Sequence, residues 1–89
     1  MDYNILTTHK IHKGDIVALA IVTDEENENR INGDFYHPVY VKFLNIDGEI
    51  ETPNLGEQEI IDDLYNEMCG YADFLNKNNY FDKKVSIVS

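Results

Sequence analysis

The chain has 89 residues, and its 17 acidic and 7 basic side chains give a formal net charge of −10 at pH 7. This length provides for one hydrophobic core and not for two. With 43% hydrophobic and 11% aromatic residues, the composition excludes an acidic disordered chain. The single cysteine, Cys69, excludes an intramolecular disulfide. We therefore expect one folded domain over residues 1–89.

The first part of the chain predicts two strands and a loop. Residues 3–11 alternate between polar and apolar side chains, and residues 15–23 contain an unbroken apolar run typical of a strand buried on both faces. The second strand is therefore expected at the centre of a sheet. The polar segment 24–34 is predicted to be an exposed, mobile loop. It contains the acidic residues Asp24, Glu25, Glu26, Glu28 and Asp34.

Three further strands are predicted in the rest of the chain. Residues 35–44 alternate, and Pro38 within them indicates an edge strand or a bulge, because proline cannot donate a ladder hydrogen bond. The Asp47-Gly48 pair predicts a turn into a short strand that ends near residue 50. Residues 84–88 predict a last strand.

One long helix is predicted over residues 55–77. Asn54 is a suitable N-cap, and Glu57 three residues later completes a capping-box pattern. Apolar side chains recur every three or four residues along one stripe: Ile60, Ile61, Leu64, Tyr65, Met68, Tyr71, Ala72 and Leu75. The order β-β-β-β-α-β predicts an α+β fold, in which an antiparallel sheet of four to five strands packs on this amphipathic helix.

The opposite face of the predicted helix is acidic. Residues 43–76 contain nine carboxylates and no lysine or arginine. Glu59, Asp63 and Glu67 follow one another at intervals of four residues, where like charges repel. A solvent-exposed helix face usually mixes both signs of charge. Together with the acidic loop, this face gives the candidate partner-binding residues: Glu59, Asp62, Asp63, Glu67, Asp73, Phe74, Asp24, Glu25, Glu26 and Glu28.

Phe74 is unusual because it falls in the acidic sector of the helix. Two explanations are open. The more common one is that the C-terminal segment covers the ring, since aromatic area is normally buried. The other is that Phe74 is an exposed apolar anchor surrounded by acids, as in an interface hot spot.

The sequence contains no recognisable catalytic or metal-binding motif. A strand would point His9 and His12 to opposite faces, which leaves His37 and Cys69 as the other soft ligands. We therefore expect no metal, no cofactor and no enzymatic activity. Residues 14–76 carry a charge of −13, which opposes direct binding to nucleic acid. With no signal-like segment and no long apolar run, the chain is expected to be cytoplasmic and not bound to a membrane.

In size, charge and ordered acidic surface, the chain resembles the small acidic bacteriophage proteins that mimic DNA. Members of that class inhibit uracil-DNA glycosylase, HU-type nucleoid proteins, restriction enzymes or CRISPR nucleases. The resemblance implies that carboxylates take the places of phosphates and compete for the basic surface of a host DNA-binding protein, such as a nucleoid protein, polymerase, repair enzyme or nuclease.

Two other functions remain open at this stage. One is an immunity protein or antitoxin that neutralises a cationic nuclease toxin, and the other is an acidic accessory domain without a charged partner. A homodimer is also open. Tyr36, Tyr40 and Leu44 would give it an apolar sheet face if the helix covers the other side.

Overall fold

The computed structural model describes residues 3–25 and 30–88, which form six strands and one helix. This confirms the predicted α+β class, with one helix packed on a mainly antiparallel sheet. The sheet has six strands, whereas four to five were expected. The elements are β1 Tyr3–Lys13, β2 Ile16–Glu25, β3 Arg30–Ile31, β4 Asp34–Asn45, β5 Gly48–Glu49, α1 Leu55–Lys77 and β6 Lys84–Val88.

β2 lies inside the sheet, as its apolar run predicted. It pairs antiparallel with β1 along its whole length and with β4 through residues 17–22. The expectation of a loop over residues 24–34 is wrong at both ends. Asp24 and Glu25 continue β2 opposite the start of β1, and the two residues of β3 pair with the start of β4. Cross-strand pairing therefore overrides the polar character of these residues.

β6 is parallel to β4, whereas an antiparallel sheet was expected. Its residues 84–88 pair with residues 36–40 of β4. The direction follows from the helix, which starts beside the end of β4, where the Asn45 amide donates to Glu57 at 3.3 Å. α1 then runs back along the sheet to Asn76, which hydrogen-bonds the backbone of Val85. Parallel neighbours require such a crossover.

Pro38 does not lie on an edge strand, since β4 has β2 on one side and β6 on the other. The prediction that residues 35–44 form an edge strand is therefore wrong. However, the ladder with β2 ends at Val39, so Pro38 stands one residue outside it. At Pro38 the register partner is Ser86 of β6.

The helix begins with the predicted capping box. The Asn54 side chain accepts from the backbone N–H of Glu57 at 2.8 Å, and Glu57 accepts from the backbone N–H of Asn54 at 3.2 Å. Four side chains of the predicted stripe are buried in the core: Leu64, Met68, Ala72 and Leu75. Tyr65 was expected in that stripe but is exposed. It lies at the stripe's margin, about 100° from Leu64 around the helix axis.

The sheet presents small side chains to the helix. Ala18 and Ala20 of β2 are fully buried, and Ile16 and Val22 belong to the same core cluster. Side chains alternate between the faces of a strand, so these four residues show which sheet face α1 covers. The small alanines let the helix approach β2 closely.

Gly70→Ala is expected to stabilise the protein by about 0.5–1 kcal/mol, because glycine costs this much relative to alanine inside a helix. Gly70 is exposed in the middle of α1, and a Cβ atom there would meet nothing within 4 Å. Urea unfolding of both proteins measures the change. A destabilised variant would show that this position needs glycine for a reason other than backbone freedom.

Candidate partner-binding surface

The acidic face of α1 is exposed, as predicted. Glu59, Asp62, Asp63, Glu67 and Asp73 are all exposed, on the side of the helix away from the buried stripe. With a rise of 1.5 Å per residue, the row formed by Glu59, Asp63 and Glu67 has successive acids about 6 Å apart along the axis. Because the whole row belongs to one packed helix, this axial spacing is fixed before any partner binds.

One member of the row has a counter-charge that the sequence did not indicate. The Lys13 ammonium, at the end of β1, lies 2.6 Å from the Asp63 carboxylate, and both side chains are half exposed. The hydrogen bond from Lys13 to Asp63 raises the pKa of Lys13, and the charges of Asp63 and Glu67 act in the same direction. Within residues 3–25 and 30–88, no ion pair involves Glu59 or Glu67. The row is therefore compensated at one position of three.

Searches for relatives found none. No family model matches the sequence, and no curated protein or solved structure matches the chain.

Phe74 is exposed, so the expectation that the C-terminal segment covers it is wrong. Its side chain is 57% accessible. β6 and the segment before it pack elsewhere, where Phe81 contacts His37 and Asn76 binds Val85. Phe74 therefore presents apolar area on the same side of α1 as the acidic row.

Asp24 and Glu25, the described acids among the loop residues proposed as contacts, do not extend this surface. Glu25 is buried in β2, where it accepts a hydrogen bond from the Tyr40 hydroxyl. Ile16 of β2 is the register partner of Lys13. Asp24 lies eight residues farther along β2, which is about 26 Å of strand. Asp24 is thus at the opposite end of the sheet from the Lys13–Asp63 pair. Glu26 and Glu28 lie outside the described residues.

His37 forms a second polar cluster that the sequence analysis missed. Its ring is 3% exposed and has a carboxylate at each nitrogen: Asp24 at 3.4 Å from Nδ1 and Asp82 at 2.9 Å from Nε2. Phe81 packs edge-on against the ring, and Lys83 lies 3.9 Å from Asp24. These contacts link β2, β4 and the segment between α1 and β6. Alternation in β4 predicts the orientation of His37, but no local pattern indicates which acids it meets.

The remaining histidines do not converge on a ligand site. His9 stacks on Tyr71 of α1 with ring centroids 4.2 Å apart, and His12 lies on the other face of β1, opposite Val17. In the part of the chain that the structure describes, no group of three histidine, cysteine or acidic side chains could hold a metal ion. The same residues include no helix that is long and apolar enough to cross a bilayer.

The Asp82→Asn variant is expected to lose less stability in acid than the wild type. The hydrogen bond from His37 lowers the pKa of Asp82 below its ordinary value of 3.8. A carboxyl group whose pKa is lower in the fold stabilises the protein above its unfolded pKa, and this contribution disappears as the pH falls through the folded pKa. The wild type should therefore lose slightly more stability than Asp82→Asn between about pH 5 and about pH 2.

Urea unfolding at several pH values measures this difference. Glu51→Gln serves as the control, because it removes one exposed charge away from His37. The effect is small because Asp82 is largely exposed. Identical acid profiles for the wild type and Asp82→Asn would contradict the assigned role of the His37 contact.

Proposed function

We propose that this chain is a DNA-mimic inhibitor whose acidic helix face occupies the basic DNA-binding surface of a nucleic-acid-binding protein. The observation that carries the proposal is the exposed row of Glu59, Asp63 and Glu67 on an ordered helix, with Lys13 as its one ion-pair partner among the described residues. Asp62 and Asp73 extend the same face.

The cost of the row in the free protein supports this proposal. Acids four residues apart on a helix each destabilise it by about 0.2–0.5 kcal/mol. A groove lined with lysine and arginine removes that repulsion when it binds, so the charges favour the complex over the free protein. Electrostatic attraction also raises the association rate, by about 10- to 1,000-fold for strongly complementary surfaces.

The rigidity of the helix supports it as well. The axial spacing of about 6 Å between acids in the row is of the order that separates neighbouring phosphates along one nucleic-acid strand. α1 is capped at its start and packed on the sheet through Leu64 and Met68. The backbone that carries the carboxylates thus needs no ordering on binding, which lowers the entropic cost of association. Phe74 adds an exposed aromatic side chain that can anchor the contact.

Isothermal titration against a panel of DNA-binding proteins tests the proposal. The panel includes an HU-type nucleoid protein, a repair glycosylase and a restriction nuclease, each with and without saturating duplex DNA. We expect binding to at least one member at low ionic strength, loss of that binding when DNA occupies the groove, and weakening as salt screens the charges. Binding that persists at full strength in the presence of DNA would refute the mimicry.

A further inference from the structure

β1 forms one edge of the sheet. Its register partners all lie in β2, and within residues 3–25 and 30–88 no strand pairs with its outer side. The two strands meet in a two-residue hairpin turn, where Gly14 takes the positive φ of 61° that a type II′ turn requires. Such a turn makes Lys13 and Ile16, on either side of it, a hydrogen-bonded pair.

The register shows which backbone groups of β1 point outwards. Hydrogen-bonded and non-hydrogen-bonded pairs alternate along an antiparallel ladder, so the bonding of Lys13 to β2 recurs at every second residue. The N–H and C=O groups of Thr8, Lys10 and His12 therefore point away from β2. All three residues are exposed, and in the part of the chain that the structure describes, no hydrogen bond involves these backbone groups.

α1 runs alongside this edge, in the direction opposite to β1. Asp63 lies 2.6 Å from Lys13, and Tyr71 stacks on His9 with ring centroids 4.2 Å apart. Eight helical residues span about 12 Å and four strand residues about 13 Å, so the helix and the strand advance together between these two contacts. Because Glu67 lies midway between Asp63 and Tyr71, the acidic row follows the edge of β1.

The acidic row lies on the flank of α1 that is turned towards this edge. At about 100° per residue, Glu67 and Asp63 lie about 40° and about 80° from Tyr71 around the axis, in the direction away from the buried stripe. A cleft of about 370 Å³ separates the row from the end of β1, and His12, Lys13, Asp63 and Glu67 line it. The edge and the row thus form two walls of one groove.

The bases of β1 do not cancel the charge of this groove. Lys13 neutralises Asp63, but Glu67 has no ion-pair partner among the described residues. Lys10 is the register partner of Leu19, which alternates with the buried alanines of β2. The Lys10 side chain therefore lies on the sheet face away from α1, and the helix side of the groove is net negative.

A strand added to β1 would lie beside the acidic row. Alternate side chains of a strand are about 7 Å apart, and successive acids of the row are about 6 Å apart along α1. Basic side chains at every second position of the added strand would therefore be attracted to the row. The same acids oppose a second copy of the chain at this place, because joining two β1 edges would bring two acidic rows together.

We propose that the basic partner of this chain contributes an extended segment that adds to β1 as a further strand. Its backbone pairs with Thr8, Lys10 and His12, and its alternate lysine or arginine side chains face Asp63 and Glu67. In such a contact the main-chain hydrogen bonds provide affinity and the alternate side chains provide specificity. The basic character of the partner rests on the proposed function, whereas the backbone contact is an addition that DNA mimicry does not require.

Two capped synthetic peptides as long as the 11 residues of β1 test this strand addition. One alternates threonine with arginine and the other alternates proline with arginine, so their charges are equal. Proline lacks the N–H group and prevents a continuous ladder. In NMR titrations at low salt, we expect the threonine peptide to bind about 10-fold more tightly and to slow hydrogen exchange at the N–H groups of Thr8, Lys10 and His12. The proline peptide should slow none of them.

Lys10→Pro and Lys10→Thr test the same contact from the side of the protein. Both variants remove one positive charge, but only proline also removes the outward N–H. Because this N–H makes no bond to β2, proline is tolerated there as on other edge strands. We expect the threonine peptide to bind Lys10→Pro about 10-fold more weakly than Lys10→Thr. Circular dichroism verifies that both variants fold, and Thr8→Pro with Thr8→Val repeats the comparison if Lys10→Pro does not.

The outcomes separate this inference from the DNA mimicry. Equal binding of the two peptides, or equal binding of the threonine peptide to Lys10→Pro and Lys10→Thr, would overturn the strand addition, since charge alone would then explain the contact. A titration in which neither peptide binds would overturn it as well. None of these results affects the mimicry, which fails separately if the DNA-binding proteins of the panel bind equally well in the presence of saturating DNA.

Discussion

The double variant Glu59→Lys/Glu67→Lys is expected to lose most of its binding to a basic DNA-binding protein, with an association rate about 10- to 100-fold lower than that of the wild type. Both acids are exposed on α1, and neither has an ion-pair partner among the described residues. Reversing them turns the row of three acids into one carboxylate between two lysines. Stopped-flow association with the tightest-binding member of the panel measures the change.

A second double variant separates this local effect from net charge. Asp47→Lys/Glu51→Lys changes the net charge by the same amount, at exposed positions in the β4–β5 turn and in the segment after β5. If α1 is the contact, this control should bind much like the wild type at physiological salt, where screening restricts charge effects to about 8 Å. Equal losses in the two double variants would mean that overall charge, and not the helix face, determines binding.

Leu64→Ala is expected to destabilise the protein by about 2–5 kcal/mol. Leu64 is 0% exposed and lies in the core between α1 and the sheet. Truncating it removes buried methyl groups and leaves a cavity, and small domains have only about 5–15 kcal/mol of stability in total. Urea unfolding followed by circular dichroism gives the change in the free energy of unfolding.

The same substitution at Leu55 isolates the effect of burial. Leu55 lies in the first turn of the same helix but is 90% exposed. Leu55→Ala should therefore change stability by less than about 0.5 kcal/mol. If Leu64→Ala were as mild as Leu55→Ala, the assigned packing of α1 on the sheet would be incorrect.

Local signals in the sequence were sufficient to predict the helix, its cap and the interior strand. The three- and four-residue spacing of Leu64, Met68 and Leu75 locates the buried stripe, and the Asn54–Glu57 pattern locates the start of α1. Each of these features depends on residues close together in the chain. The exposed acids of α1 followed from the same periodicity, because they occupy the side opposite the stripe.

Features that depend on register were not predictable in this way. Lys13 and Asp63 are 50 residues apart in the chain and meet because the end of β1 lies beside the helix. His37 likewise meets Asp82 across 45 residues. Alternation indicates the face on which each side chain lies, but tertiary packing decides its neighbour. The extension of β2 through Glu25 was missed because its polar residues are stabilised by pairing with β1.

The parallel position of β6 also affects the order in which the sheet can form. β1 and β2 are joined by a two-residue turn, whereas β6 reaches β4 after a connection of about 40 residues that contains the whole helix. Closing so long a connection costs chain entropy before its contacts form, so we expect the β4–β6 pairing to be a late step in folding. Until that step, residues 36–40 would present unpaired backbone groups on one side of β4, an edge on which another chain can pair.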